Sequence, residues 1–405
     1  MRPQTIPQSL DTAPATERRI DLDWVRIAAF GLLILYHVGM LYVSWGFHIK
    51  SAHRITALEP VMLVLNPWRL SLLFLVSGVA TRFMLGKYSL APLLRSRSAR
   101  LLIPLVFGML VIVPPQAYDQ IVEAFGYPAG FVDFYQRHYL AFASQFCPNP
   151  CIVLPTWNHL WFVVYLWVYT MALGGVLALV PGLLGWLERK RSAALSGLLL
   201  LVVPPLLFAA YRLLLLPNFP STHALFGDWY NHALFATVFL FGFVLARADA
   251  VWDAIERMRW LALSLAVAFF LSFLAVWWTR AGGMPLKTYA GIAYGAYQWL
   301  CMIAILGFAR RWLNVDSPVR RYLTDAIFPY YIVHQTAIIM IAHALHGEGL
   351  PAWLEAAIVI SGTAAACIVT YEIVRRIPIL RPLFGLRMGA SGPAIPASVS
   401  SQPAQ

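Results

Sequence analysis

The residues best suited to chemistry in this sequence are two histidines set within apolar runs, His37 and His334. An imidazole titrates near pH 6.5, so near neutrality it can take a proton from a reacting hydroxyl and pass it on. Arg26 stands eleven residues before His37, and Asp23 three residues before Arg26. At about 100° per residue, the Arg26–His37 spacing is three turns plus roughly 20°. Both therefore lie on one helical face, about 16 Å apart. Asp23 falls on the same stripe and is expected to pair with Arg26. Taken alone, His37 reads equally well as a buried histidine bonded to a neighbouring helix. His334, in Phe328-Pro329-Tyr330-Tyr331-Ile332-Val333-His334-Gln335, is expected at a similar depth; the two could share a site or be unconnected.

Other polar residues within apolar stretches invite the same weighing, since ionisable groups at membrane depth are expensive. Arg69 and Arg82 flank Leu75-Val76-Ser77-Gly78, where Ser77-Gly78 reads first as a place for close helix packing. Arg97 and Arg100 lie one turn apart, which suits a polyphosphate or, equally, a lipid headgroup. In Trp157-Asn158-His159-Leu160-Trp161-Phe162 the tryptophans are ordinary interface anchors, and His159 is the less routine member. Glu372 is expected to pair with Arg375 or Arg376. His48, His53, His138, His223, His232, His343 and His346 fall in or near connectors and are expected to be solvated. Cys147 and Cys151, split by Pro-Asn-Pro, are candidates for a disulfide. Cys301 and Cys367 read as small core residues, and no zinc-type spacing is present, so no metal is expected.

These residues must be positioned by membrane helices. Hydrophobic residues make up 60% of the 405 and charged residues only 12%, with a mean hydropathy of +0.68. So little charge cannot cover a soluble protein of this size. Runs of about 20 apolar residues, enough for a hydrocarbon core of about 30 Å, recur along the chain. The pattern predicts an all-α polytopic membrane protein of about ten transmembrane helices. They cover approximately 23–44, 61–85, 101–118, 157–180, 194–214, 231–249, 260–279, 288–309, 324–345 and 353–374. Residues 1–20 and 388–405 are expected to be disordered cytoplasmic tails around a 21–387 membrane domain, with 119–156 an extracytoplasmic loop. No cleavable signal peptide is expected.

The net charge of +12 sits between the apolar runs, which argues for membrane orientation and against nucleic-acid binding. Most Lys and Arg fall in the tails and the even-numbered connectors. The opposite side holds only Lys50, Arg54, Arg137, Arg212, Arg280 and Lys287. The positive-inside rule therefore places the N-terminus and the C-terminus in the cytoplasm. No internal repeat is visible, which weakens a transporter reading.

Taken together, the segments resemble the membrane acyltransferase family three. The resemblance rests on Leu22-Asp23-Trp24-Val25-Arg26 with its Arg-x10-His spacing to His37, the stretch ending in Ser77-Gly78, Arg97-x-x-Arg100 before Leu-Leu-Ile-Pro, and Tyr-Ile-Val-His334-Gln. It covers about residues 18–387. His159-Leu-Trp-Phe and Arg381-Pro-Leu-Phe-Gly385 look like the branch that includes periplasmic-glucan succinyltransferases, while the Val-Ser-Gly form departs from the more aromatic one of the sugar O-acetyltransferases. The resemblance implies a bacterial inner-membrane, multi-pass enzyme. Its donor would be acyl-CoA (acetyl-CoA or succinyl-CoA), its acceptor an extracytoplasmic carbohydrate, with His37 catalytic and Arg26 its essential partner.

On this reading Arg26, Arg97 and Arg100 hold the donor phosphates and Asp23 orients Arg26. His37 is either base or transient acyl carrier, and His334 stabilises the oxyanion or orients the acceptor. His159, Trp161 and Arg69 are candidate substrate contacts, and membrane lipids are the surrounding partners. The competing class is a proton-coupled transporter or flippase using the same buried His and Arg. The membrane-bound O-acyltransferase family fits less well, because Asn158 and His159 are adjacent where that family's pair is well separated.

Overall fold

The computed structural model describes residues 19–142, 146, 152–187, 197–279 and 283–388. Ile20, expected in the first tail, already begins a helix, while residues 1–18 and 389–405 of the expected tails and the Cys147–Cys151 pair fall outside the described residues. Within them the long elements are all helical: α1 (Ile20–Gly39), α2 (Glu59–Leu65), α3 (Arg69–Leu85), α4 (Leu90–Phe107), α5 (Val113–Phe125), the short α6 (Phe131–Phe134), α7 (Trp161–Leu179), α8 (Leu199–Leu214), α9 (Trp229–Leu245), α10 (Asp249–Arg257), α11 (Arg259–Thr279), α12 (Met284–Trp312), α13 (Pro318–Ala344) and α14 (Ala352–Arg376).

Among the described residues, eight helical segments are long and apolar enough to cross a membrane, including Thr56–Leu85 and Leu90–Phe125. Two of the expected spans are less simple. The stretch expected at 194–214 forms α8, whose 16 residues rise only about 24 Å, less than a straight crossing needs. The stretch expected at 231–249 forms α9, followed after a 111° bend by α10.

The third apolar segment also differs from expectation. A π-helical turn at Gly108–Ile112 joins α4 to α5, and helix continues to Phe125. Pro104 and Pro114 interrupt the i→i−4 ladder, and the widened turn absorbs the mismatch. Asp119 and Glu123, expected in a loop, therefore sit on a helix. His343 Nδ1 donates to Glu123 Oε1 at 2.9 Å. Beyond α5, the buried residues Phe134, Tyr139 and Leu154 pack on Ala117 and Ile121 as a small separate core.

Packing follows the small residues. A Cβ added to Gly78 would lie 2.0 Å from the Phe239 carbonyl oxygen, and one added to Gly242 would lie 2.0 Å from that of Leu75. The reciprocal contact seats α3 directly on α9, the close packing expected of Ser77-Gly78. Glu372 pairs with both Arg375 and Arg376. Several connector histidines expected to be solvated have defined partners: His53 Nε2 donates to the Leu350 carbonyl at 2.8 Å, and His232 Nε2 to that of Leu225 at 2.9 Å.

Candidate active site

Helices α1 and α13 run parallel and in register, because two side-chain bridges join them at the same sequence separation. His37 meets His334 and Asp23 meets Arg320, each pair 297 residues apart. Ser317 caps α13, its hydroxyl accepting from the Arg320 backbone N–H at 3.0 Å. Arg320 is buried, and it bridges Asp23 and, at 2.7 Å, Asp316. The Asp316 carboxyl, hydrogen-bonded by that guanidinium, is held below its ordinary range. The sequence spacing offers Asp23 a partner in Arg26; the fold adds Arg320, which reads in the sequence as one more connector cation. Arg26 itself donates to the Thr324 carbonyl on α13 at 3.2 Å.

Hydrogen bonding fixes the tautomers of the histidine pair. His334 Nδ1 lies 2.8 Å from the Tyr331 carbonyl oxygen and 3.2 Å from that of Tyr330. Carbonyls only accept, so Nδ1 carries the proton and Nε2 of a neutral His334 is a lone pair. That lone pair lies 3.0 Å from His37 Nδ1, which must donate to it. The remaining nitrogen of His37, Nε2, is thereby left as a lone pair. The two rings stack with centroids 5.1 Å apart, His334 fully buried.

His159 adds a third imidazole, its ring 5.1 Å from that of His334 and edge-on to it. Its Nε2 donates to the Ile332 carbonyl at 3.1 Å, so Nδ1 is a lone pair, and that atom is buried with no hydrogen-bond partner among the described residues. Asn158, in the left-handed region at φ 41°, turns the chain into position for it.

On the other side of His334, the Gln335 amide donates to His48 Nε2 at 2.9 Å and to Gln116 Oε1 at 3.0 Å. His48 Nδ1 in turn donates to Gln120 Oε1 at 2.8 Å. Burial pushes the His48 imidazole below its ordinary range, with the Gln120 bond opposing. His48 is thus a structural hydrogen-bond partner rather than the solvated side chain expected.

Arg69 is buried, its guanidinium 3.4 Å from the ring centroid of Tyr36, the residue before His37. Trp161 stacks on His223 at 4.2 Å and packs on Phe74 and Phe235.

Toward the Asp23 end, a cavity of about 1200 Å³ is lined by Arg19, Arg26, Lys87, Arg97, Arg100, Arg321, Arg375, Arg376, Arg381 and Arg387, against the carboxylates of Asp23 and Asp325. Arg97 bonds to Thr81 Oγ1, and its buried Nε has no partner among the described residues. Such a surplus of positive charge around one volume suits a polyanion. Phe30, Phe162 and Phe328 also line this cavity. All three pack against Tyr331, whose ring lies 5.9 Å from His334 and 5.6 Å from His159. One aromatic ring therefore stands between the cationic cavity and the imidazoles. The sequence reading missed Arg320, Tyr331 and Gln335. The available signals were Arg320 preceding His334 by the spacing that separates Asp23 from His37, and the adjacency of Tyr331 and Gln335 to His334.

The apolar helices define a polytopic membrane protein that carries an imidazole pair and a cation-lined cavity. The chain belongs to the acyltransferase 3 family, whose profile, described as an acyltransferase domain, matches residues 19–372. Its curated relatives include two proteins named glucans biosynthesis protein C. The one from Escherichia coli O6:K15:H31 is 22% identical over 383 residues, covering 93% of this chain and 96% of its own. The one from Salmonella paratyphi B is 23% identical over 392 residues, with the same coverage. No solved structure matches the chain.

Proposed function

We propose that the protein is an inner-membrane O-acyltransferase that moves an acetyl or succinyl group from cytoplasmic acyl-CoA to a hydroxyl of an extracytoplasmic carbohydrate, with His37 as general base. The observation that carries this reading is the lone pair left on His37 Nε2 by the bond from His37 to His334. In the reaction, Nε2 takes the proton of the acceptor hydroxyl as its oxygen attacks the thioester carbonyl carbon. The C–S bond breaks, and the thiolate of CoA leaves and takes up that proton. His334, holding Nδ1–H of His37, keeps the base in the productive tautomer. His159, with its unpartnered Nδ1, is the contact for the acceptor hydroxyl.

Arg97, Arg100 and Arg26 would hold the donor phosphates in the cationic cavity, which the orphaned Arg97 Nε supports. On this reading ten segments cross the membrane, α8 and the bent α9–α10 pair included, and both termini lie in the cytoplasm. The gathering of cations around the Asp23 end supports that orientation. A glucan acceptor is supported by the names of the relatives.

The test is acyl transfer from radiolabelled acetyl-CoA and succinyl-CoA to neutral glucan by the purified protein in nanodiscs. His37→Ala should lose about 10²–10⁴-fold in kcat. A folded His37→Ala protein with full activity would overturn the assignment.

A further inference from the structure

We propose that Arg69 and Arg212 form a carboxylate-binding site beside the histidine pair, separate from the cationic cavity. Arg69 is only 5% exposed. Its Nη1 donates to Asn66 Oδ1 at 2.9 Å and its face is covered by Tyr36, while Nε is buried without a partner among the described residues. Arg212 repeats the pattern: its guanidinium lies 3.7 Å from the Tyr294 ring centroid, and Nη1 donates to Tyr230 Oη at 3.4 Å. Asn66 joins the two, its Nδ2 donating to Tyr294 Oη at 3.5 Å.

Neither arginine forms an ion pair with a carboxylate among the described residues. The acids near this end are engaged elsewhere: Asp228 accepts from Tyr165, His223 and Asn231, and Glu59 from Ser44. A buried guanidinium held by rings and amides, with no counter-charge, is costly unless an anion joins it. The free Nε edge of Arg69 is a planar donor edge of a size for one carboxylate, unlike the many-sided cationic cavity.

The location gives the site its meaning. Tyr36, which Arg69 covers, precedes His37, and their rings lie 6.2 Å apart. A carboxylate docked here belongs to a molecule reacting at His37. It is carried either by the far end of a dicarboxylic acyl group or by an acidic sugar of the acceptor. The choice between these two sources rests on the acyltransferase reading; the existence of the site does not.

The experiment uses the full chain in nanodiscs and monomethyl succinate, which has one carboxylate, against dimethyl succinate, which has none. Monomethyl succinate alone should raise the Tm of the wild type and of His37→Ala. Arg69→Met and Arg212→Met should abolish the rise, and Arg69→Lys should keep part of it. The half-buried Arg212 carries the test if Arg69→Met fails to fold.

Transfer assays then separate the sources. If the acyl group supplies the carboxylate, Arg69→Met lowers the ratio of succinyl to acetyl transfer by about tenfold or more. If the acceptor supplies it, the ratio of uronic-acid glucan to neutral glucan falls instead. The site is overturned if monomethyl succinate does not raise the wild-type Tm, or raises it equally in both methionine variants. Loss of all acyl transfer by the wild type would sink the enzymatic reading and leave the thermal result standing.

Discussion

His37 Nδ1 and His334 Nε2 lie 3.0 Å apart, and the Tyr330 and Tyr331 carbonyls decide which of them donates. A hydrogen bond between two imidazoles has no preferred direction by itself. Here the carbonyls hold the proton of His334 at Nδ1, so the direction is imposed from α13 onto α1.

Removing that acceptor frees the His37 ring to adopt the other tautomer. His334→Phe should keep the fold, since ring volume is retained, and lose roughly 10²-fold or more in kcat. KM for the donor should change little, because the cationic cavity is untouched. A variant with wild-type kcat would show that His334 does not position His37.

The same two helices are held at their other end by Asp23 and Arg320. Asp23→Asn leaves the buried Arg320 with only the half-exposed Asp316, and should cost about 3 kcal/mol, read as a fall in Tm. The double variant Asp23→Leu with Arg320→Met should recover much of that loss, because no buried charge is then left alone. An additive loss in the double variant would rule out a coupled pair.

Much of this arrangement was legible in the sequence because helix geometry is local. The Arg26–His37 stripe and the shared depth of His37 and His334 follow from counting residues along apolar runs, as does the placing of Arg97 and Arg100 at the same end of their span as Arg26. What periodicity along one helix cannot give is which helices are neighbours. The parallel register of α1 and α13 turns Arg320 from a connector cation into the partner of Asp23. It also places His48, from the connector after α1, against Gln335. The extension of α5 past Asp119 was hidden because its charged residues read as loop, whereas His343 on α13 supplies their partner.

The reciprocal glycine contact makes a sharp packing prediction. A methyl group at Gly78 would meet a backbone oxygen that no side-chain rotation can move aside. Gly78→Ala should force α3 and α9 apart and cost about 1–3 kcal/mol. Gly31→Ala, where nothing lies within 4 Å, should be neutral or slightly stabilising. Thermal unfolding of the two variants side by side checks the contrast.

Arg97 tests the donor cavity independently of the base. Its buried Nε and its bond to Thr81 place it in the wall without an acid partner among the described residues. Arg97→Gln should raise KM for acyl-CoA by about tenfold or more while kcat at saturation falls less. An unchanged KM would remove Arg97 from donor binding.

The His48 network predicts a pH dependence of stability. Burial holds the folded-state value of His48 below the ordinary 6.5. Between the folded and unfolded values the unfolded chain therefore binds the extra proton, so stability rises with pH and falls on acidification. Above pH 6.5 both states are neutral at this residue and it contributes no slope. Protonation would also turn Nε2 from acceptor to donor, opposing the bond from Gln335. Tm measured from pH 7.5 down to 5 should drop below about pH 6.5, and His48→Gln, which cannot titrate, should show a shallower drop. Equal slopes for the two proteins would mean that other groups carry the acid sensitivity.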